Sequence, residues 1–424
     1  MQAHGKITNI GFISTRFQGT DGVSLETAKW STVLERMNYR CFFFSGLSDW
    51  DTNRSVVVPE AFFDYPEIQR LQDKCFGSLT RTSELTGEIH RYRLLLKEKL
   101  YDFIHRNKID LIIPENTLTI PMNVPLGLAL TEIIAETGIP TIAHHHDFFW
   151  ERQRFSVTSI PDFLSMAFPP KLPSIQNVVI NTPADTELSF RTGISAHVIP
   201  NVLNFSKPAP GFDDYNKDVR VDLGLEENDL FILQPTRIVA RKGIEHAIEI
   251  CNRLKDKRVK LVITHSAGDE GYTYENRIQE YARLMDVPLI IKPEIIDQKR
   301  GVTADGRKKY TLWDIYPHAD LITYPSVYEG FGNAFLEAVY FKKPILVNRY
   351  SIYEVDIEPR GFDVITMDGY VTDDVIHQIK RVLYDEERIK SMVETNYRIA
   401  SKFFSYEVLE FQLRNLLISF EGLD

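Results

Sequence analysis

The stretch Tyr324-Pro325-Ser326-Val327-Tyr328-Glu329-Gly330-Phe331-Gly332-Asn333 gathers a carboxylate and two glycines, and a second carboxylate, Glu337, follows Glu329 by eight positions. An apolar run ends at Tyr324 and helical spacing begins at Asn333, so the pattern reads as strand, glycine turn, helix. The backbone N–H groups of Gly330, Phe331, Gly332 and Asn333 then lie at a helix N-terminus, where they suit an anion or a hydroxyl. Glu329 and Glu337 can each accept hydrogen bonds from a set of sugar hydroxyls, spaced about one nucleoside diphosphate apart. A plain glycine turn beside a solvated helix face would carry the same pattern.

The segment Gln234-Pro235-Thr236-Arg237-Ile238-Val239-Ala240-Arg241-Lys242-Gly243-Ile244 follows another apolar run and brings Arg237 and Lys242 to the start of a helix. Two cations beside backbone amides suit a diphosphate whose leaving oxygen gains charge as a bond breaks. A basic surface turn is the competing reading. A third segment, His144-His145-His146-Asp147-Phe148-Phe149-Trp150, takes three of the eleven histidines to a strand end. Strand alternation sends His144 and His146 to one side, His145 and Asp147 to the other. Three readings stand: metal ligands, imidazoles packed around Trp150, or groups beside a donor sugar and its acceptor. Strand neighbours diverge and no second cluster is visible, so no metal site is expected. Arg152 and Arg154 follow, and Glu115-Asn116 end a neighbouring strand. Arg152 suits an acceptor's carboxylate or phosphate, with an exposed basic turn as the alternative.

The elements that must position these groups alternate. Apolar runs at 6–13, 40–45, 109–113 and 141–143 are separated by helical spacing at 24–38, 88–107 and 124–137. After two more short runs, residues 200–214 carry prolines at 200, 208 and 210 and a glycine at 211, the most linker-like stretch of the chain. The alternation then restarts, with strands expected at 230–235, 259–264, 289–292, 321–324 and 344–348, and ends in helical sequence over 388–420 that breaks near Phe404-Ser405. Such alternation predicts an α/β protein with parallel sheets and ligands outside the carboxyl ends of the strands. Two domains are expected, 1–203 and 204–404, with a cleft between their strand ends and a mobile solvated loop at 297–309 beside it. The chain's 424 residues hold 49 Lys plus Arg against 59 Asp plus Glu, a net charge of −10 that speaks against a nucleic-acid partner. Three cysteines without a C-x-x-C pair signal neither a disulfide framework nor a thiolate zinc site. No targeting segment and no membrane span is read, so a cytoplasmic chain is expected. Gly19-Thr20-Asp21-Gly22 does not fit the G-x-G-x-x-G of a nicotinamide enzyme.

Taken together, Pro200-Asn201-Val202, Arg237 with Lys242-Gly243, and Glu329-Gly330-Phe331-Gly332 with Glu337 at the E-x7-E spacing resemble glycosyltransferase family 4, in order along about the whole chain. The resemblance implies the GT-B fold, two Rossmann-like parallel-sheet domains facing each other across a cleft, with a C-terminal helix at about 405–424 crossing back onto the first. It implies a retaining hexosyltransferase that uses a nucleoside diphosphate sugar of GDP-mannose or UDP-glucose type as co-substrate, with no tightly bound cofactor; the alternatives are a sugar-nucleotide epimerase or hydrolase of GT-B type, or a non-catalytic sugar-nucleotide-binding protein. The acceptor would be a small sugar-like hydroxyl compound, anionic where Arg152 pairs with it; no oligomeric state is implied. Carried over by residue, Arg237 and Lys242 hold the donor diphosphate and Glu337 the ribose. Glu329 meets the donor sugar, alongside Gly330, Phe331, Gly332 and Asn333. The loop Gly19-Thr20-Asp21-Gly22-Val23 matches the family's glycine-rich loop after the first strand, but Asp21 stands where a double glycine is usual. Gly22 therefore falls to the donor and Asp21 to an acceptor hydroxyl. His146 falls beside the reacting sugar, with Glu115, Asn116, His144, His145, Asp147 and Arg152 on the acceptor side. The histidine-rich strand end followed by Glu151-Arg152 also resembles mannosylglucosylglycerate synthase-like members.

Overall fold

The computed structural model describes residues 6–19, 21–265 and 272–421; Thr20 of the expected glycine-rich loop and residues 1–5 lie outside them. The chain divides into two compact units, Met1–Val202 with Tyr406–Asp424, and Leu203–Ser405. Each is built on one parallel sheet.

In the first unit, β1 (Asn9–Ile13), β2 (Arg40–Ser45), β3 (Ser55–Val57), β4 (Leu111–Pro114), β5 (Thr141–His145), β6 (Ile175–Val179) and β7 (Ala196–Val198) run in the order β3-β2-β1-β4-β5-β6-β7. Every residue of β1, β4 and β5 is buried, the consequence of helices on both faces of a parallel sheet. One apolar layer joins Ile10, Phe12, Trp30 and Leu34 to Leu409, Leu413 and Leu417, so the last helix, Tyr406–Glu421, belongs to this unit's core. The opposite layer packs Leu96, Leu100 and Phe103 with Leu126, Leu130 and Ile133. Register then fixes the neighbours of the site: Ile112 pairs with Thr141, and at the strand ends Glu115 bridges His144.

In the second unit, β8 (Leu230–Gln234), β9 (Val259–Ile263), β10 (Leu289–Ile291), β13 (Leu321–Tyr324), β14 (Ile345–Asn348) and β15 (Ile365–Met367) form a parallel sheet ordered β10-β9-β8-β13-β14-β15. Strand order reverses beside the first strand of each unit, between β1 and β4 and between β8 and β13. The loops leaving the carboxyl ends there are where such sheets collect ligands.

The expected mobile loop at 297–309 is instead an antiparallel hairpin, β11 (Gly301–Val302) with β12 (Lys308–Lys309). Arg300 bonds Asp213 and Asp314 and Lys308 bonds Asp218, opposite charges from elsewhere in the unit, while Lys309 bonds Asp297 at the start of the segment itself. The Tyr215 hydroxyl accepts from the Gly301 N–H and has the Gly301 and Lys309 carbonyls, at 2.7 and 2.9 Å, within reach of its one proton. Among the described residues, no helix is long and apolar enough to cross a membrane.

Candidate active site

In the second unit, the loops after β8 and β13 are zipped together by backbone. Val327 N–H donates to the Arg241 carbonyl at 2.8 Å, and Gly243, at φ +61°, lies so close to the Pro325 carbonyl that a Cβ would come within 2.3 Å of it. Gly332, at φ +122°, is equally constrained, because a Cβ there would meet the Tyr350 hydroxyl at 2.4 Å. That hydroxyl donates to the Phe331 carbonyl at 2.8 Å. The glycines therefore set how closely the two loops and the start of the helix Asn333–Tyr340 approach.

This approach brings Lys242 and Glu329 into a buried ion pair, 8 % and 7 % exposed, with Arg241 Nη1 3.4 Å from the other Glu329 oxygen. Burial lowers the Lys242 pKa and Glu329 only partly offsets it, while for Glu329 burial is outweighed by Lys242 and the carboxyl is held below its ordinary range. Lys242 and Glu329, expected to meet different parts of a donor, are thus paired with each other. Arg237 is exposed and, among the described residues, makes no side-chain hydrogen bond or ion pair, so its charge is uncommitted. Glu337 accepts from the buried Tyr316 hydroxyl at 3.0 Å. The Phe331 ring turns inward, 2 % exposed and edge-on to Phe404, so the part expected of this residue rests with its backbone amide, as it does for Gly330, Gly332 and Asn333.

Sequence reasoning missed His265 and Arg241. His265 follows β9, the strand beside β8, and its pKa falls to about 4 through burial and the charges of Arg237 and Lys242. Its position at the carboxyl end of a strand next to the reversal point was the available signal.

In the first unit, His144 and His146 share a face, as alternation requires, and both turn to Glu115. Glu115 Oε2 lies 2.9 Å from His144 Nδ1 and 3.0 Å from His146 Nε2. Burial alone would raise Glu115, but the two imidazoles outweigh it and hold the carboxyl at about 2. Burial lowers His144, with Glu115 only partly compensating. For His146, the Glu115 hydrogen bond and charge overcome burial, and the pKa rises. His144 stacks on Trp30 at 4.1 Å. His145 points the other way and bonds Asn177 at 2.9 Å; burial takes its pKa to about 4.

These contacts correct several expectations. Glu115, His144 and His145 are no more than 1 % exposed, so they cannot touch an acceptor and instead hold their neighbours. Asn116, at φ +58°, accepts from the His146 N–H at 2.8 Å and donates to Asp147 at 2.7 Å, latching the turn after β5. Arg152 is bonded through Nε (2.7 Å) and Nη2 to Asp147, so both residues are committed to each other rather than to an anionic acceptor. Asp21 caps the helix Gly22–Arg36, accepting from Val23 and Ser24 N–H at 3.1 and 3.2 Å. A carboxylate thereby fills the anion position that the glycine-rich loop and Gly22 were expected to offer. The reason for expecting no metal ligands also changes. The divergence argument applies to adjacent strand residues, whereas His144 and His146 are two apart, and Glu115 from β4 brings three ligand atoms within 4.8 Å of one another. This carboxylate–imidazole set is the one group among the described residues with such spacing.

Residues 230–385 match the family model described as "Glycosyl transferases group 1". The chain is 34% identical over 380 residues to the mannosylglucosylglycerate synthase of Petrotoga mobilis, covering 84% of this chain and 86% of that protein. It is 30% identical over 426 residues to the enzyme of the same name from Thermotoga maritima, covering 92% and 95%. Its fold is similar to that of a glycosyltransferase from Rickettsia africae, with a TM-score of 0.70 and 14% identity over 99% of this chain and 100% of that one. With likeness to whole relatives added to the matched segment that holds Arg237, Lys242, Glu329 and Glu337, the chain belongs to the group 1 glycosyltransferases, enzymes of the GT-B fold.

Proposed function

We propose that the chain moves a hexose from a nucleoside diphosphate sugar to a hydroxyl of a small anionic saccharide, with retention at the anomeric carbon. The observation that carries the reading is the cluster of Arg237, Arg241, Lys242 and Glu329 where strand order reverses in the second unit. It offers one uncommitted cation and one buried cation whose partner is exchangeable. In this reading the diphosphate takes over Lys242 and pairs with Arg237, and Glu329, released, accepts from hydroxyls of the transferred sugar. Glu337 holds the ribose, and the turn Gly330–Asn333 lies along the diphosphate. The bond from the anomeric carbon to the phosphate oxygen breaks, the acceptor oxygen bonds to that carbon on the same face, and its proton passes to the departing diphosphate. Arg237 and Lys242 stabilise the charge that develops there. His146, held on Glu115, orients the sugar and the acceptor hydroxyl. The names of the relatives speak of a mannosyl group on glucosylglycerate, so GDP-mannose is the first donor to try and UDP-glucose the second. No tightly bound cofactor is part of the reading, and a cytoplasmic location belongs to the same proposal.

The test incubates the purified chain with each donor, with and without glucosylglycerate, and follows nucleoside diphosphate release and product. Acceptor-dependent release with a new glycoside of the donor's anomeric configuration, read from one-bond C–H coupling by NMR, is expected. Release without any new glycoside would overturn transfer, and an inverted product would overturn retention.

A further inference from the structure

The first unit contains a cavity of about 670 Å³ that no contact described so far fills. Its size is that of a small-ligand site. Its wall combines the rings of Phe63, Phe76 and Phe155 with Gln72, Asp73 and Arg154. Phe155 and Arg154 follow the histidine strand β5, and the backbone after β5 is tied to that after β4 by the Phe149 N–H donating to the Thr119 carbonyl at 3.1 Å. The cavity is therefore on the carboxyl-end side of the strands that carry Glu115 and His146. Phe76 and Phe155 pack edge-on at 4.8 Å, which fixes one apolar wall.

Among the described residues, Arg154 is the one cation of the lining, beside two carboxylates, Asp73 and an Asp64 that accepts from Gln69; Arg152, two residues before it in sequence, is not part of the lining. Arg152 is spent on Asp147. Arg154, two residues on, forms no ion pair among the described residues; its guanidinium rests on Met122 Sδ and over the Phe155 ring at 4.6 Å. Partial burial and the neighbouring Arg152 charge lower its pKa, against a smaller opposing effect of Asp147. Such a cation gains most from an anionic ligand. Asp73 likewise has no partner among the described residues and can accept from hydroxyls, and aromatic faces pack against the C–H faces of a sugar ring.

Resting on the transferase reading above, we infer that this cavity is the acceptor site and that it takes a glycoside bearing one carboxylate, with Arg154 binding the carboxylate and Asp73 a pair of hydroxyls. Arg154 replaces Arg152 in that role.

The experiment compares α-glucosylglycerate with α-glucosylglycerol, the same skeleton without the carboxylate, by calorimetry and transfer kinetics on the full chain. In the wild type the carboxylate compound binds at least tenfold tighter. Arg154→Ala raises its dissociation constant and acceptor KM about tenfold or more, leaves the glycerol compound and the donor KM unchanged, and Arg154→Lys restores part of the loss. Asp73→Asn weakens both compounds alike. Equal binding of the two compounds by the wild type, or an Arg154→Ala variant that is unaltered while transfer proceeds, overturns the assignment and leaves the transferase reading intact. Arg154-dependent binding without transfer from any donor supports the site and overturns the transferase reading instead.

Discussion

Breaking the Lys242–Glu329 pair from one side should unsettle the second unit, and breaking it from both sides should not. Both side chains are at least nine-tenths buried, so Lys242→Met leaves Glu329 ionised with the Ser326 and Tyr324 hydroxyls and one cation, Arg241, at 3.4 Å and itself 40% exposed. Removing one partner of a buried pair costs about 3–5 kcal/mol, and the remaining Arg241 argues for about 3 here. Glu329→Gln leaves Lys242 uncompensated beside Arg241, a cost of similar size that loss of the Lys242 proton limits. In Lys242→Met/Glu329→Gln no buried charge remains, and the double variant should recover about 2 kcal/mol relative to the sum of the single changes. The assay is native-state hydrogen exchange with mass spectrometry on peptides covering β8 and β13, whose loops carry the pair. A loss of about 3 kcal/mol appears there as about a hundredfold faster exchange. Transfer activity should stay lost in the double variant even as protection returns, because the diphosphate has lost Lys242. Single variants that each cost under about 1 kcal/mol and simply add would refute the coupling, and with it the idea that the donor must take Lys242 from Glu329.

Arg237→Ala, at an exposed side chain with no partner among the described residues, should lower turnover by about a hundredfold with unchanged melting temperature; steady-state kinetics beside thermal denaturation checks both halves. Glu337→Ala should chiefly raise the donor KM, since a ribose contact serves ground and transition states alike; a fall in kcat with constant KM would contradict the role. Glu115→Gln removes the charge that raises the His146 pKa, so the alkaline limb of kcat/KM, where the charged imidazole is lost, should move to lower pH; an unmoved limb would detach His146 from the reaction. Burial depresses His145 from 6.5 to about 4, so the unfolded chain binds its proton first and stability falls as pH drops from 6.5 toward 4. That window is worth about 3 kcal/mol. Urea titrations at pH 7 and 4.5 should show a smaller acid loss for His145→Gln than for the wild type.

The parallel sheets were legible because their central strands are buried on both faces. β1, β4, β8 and β13 read as apolar runs ending in polar loops, and the alternation with helices does the rest. Elements with little buried surface escaped. β3 is three residues at the sheet edge with none buried, and the helix Thr182–Thr192 buries only Leu188. The 297–309 segment failed for a different reason. Its charge run looks solvated in isolation, and the aspartates that order it stand at 213, 218 and 314, beyond any local window.

For the candidate site, residue types at strand ends could be read, but their commitments could not. The Asp21 cap escaped for a local reason: helical spacing was read from 24, whereas the helix starts at Gly22, directly after Asp21, where an aspartate is an N-cap signal. Lys242 and Glu329 are brought together only because two glycines let their loops touch, and Glu115 meets the histidines only through the register of β4 on β5. Arg152 and Arg154 make the point most sharply. They are two residues apart and chemically identical, and nothing in their spacing separates them. Asp147, held by Asn116 from the neighbouring strand end, takes Arg152 and leaves Arg154 on the cavity wall. Lys242 must give up Glu329 to meet a diphosphate and Arg152 would have to give up Asp147 to meet a carboxylate, whereas Arg154 has, among the described residues, no carboxylate partner to give up, which is the argument for looking to Arg154 first.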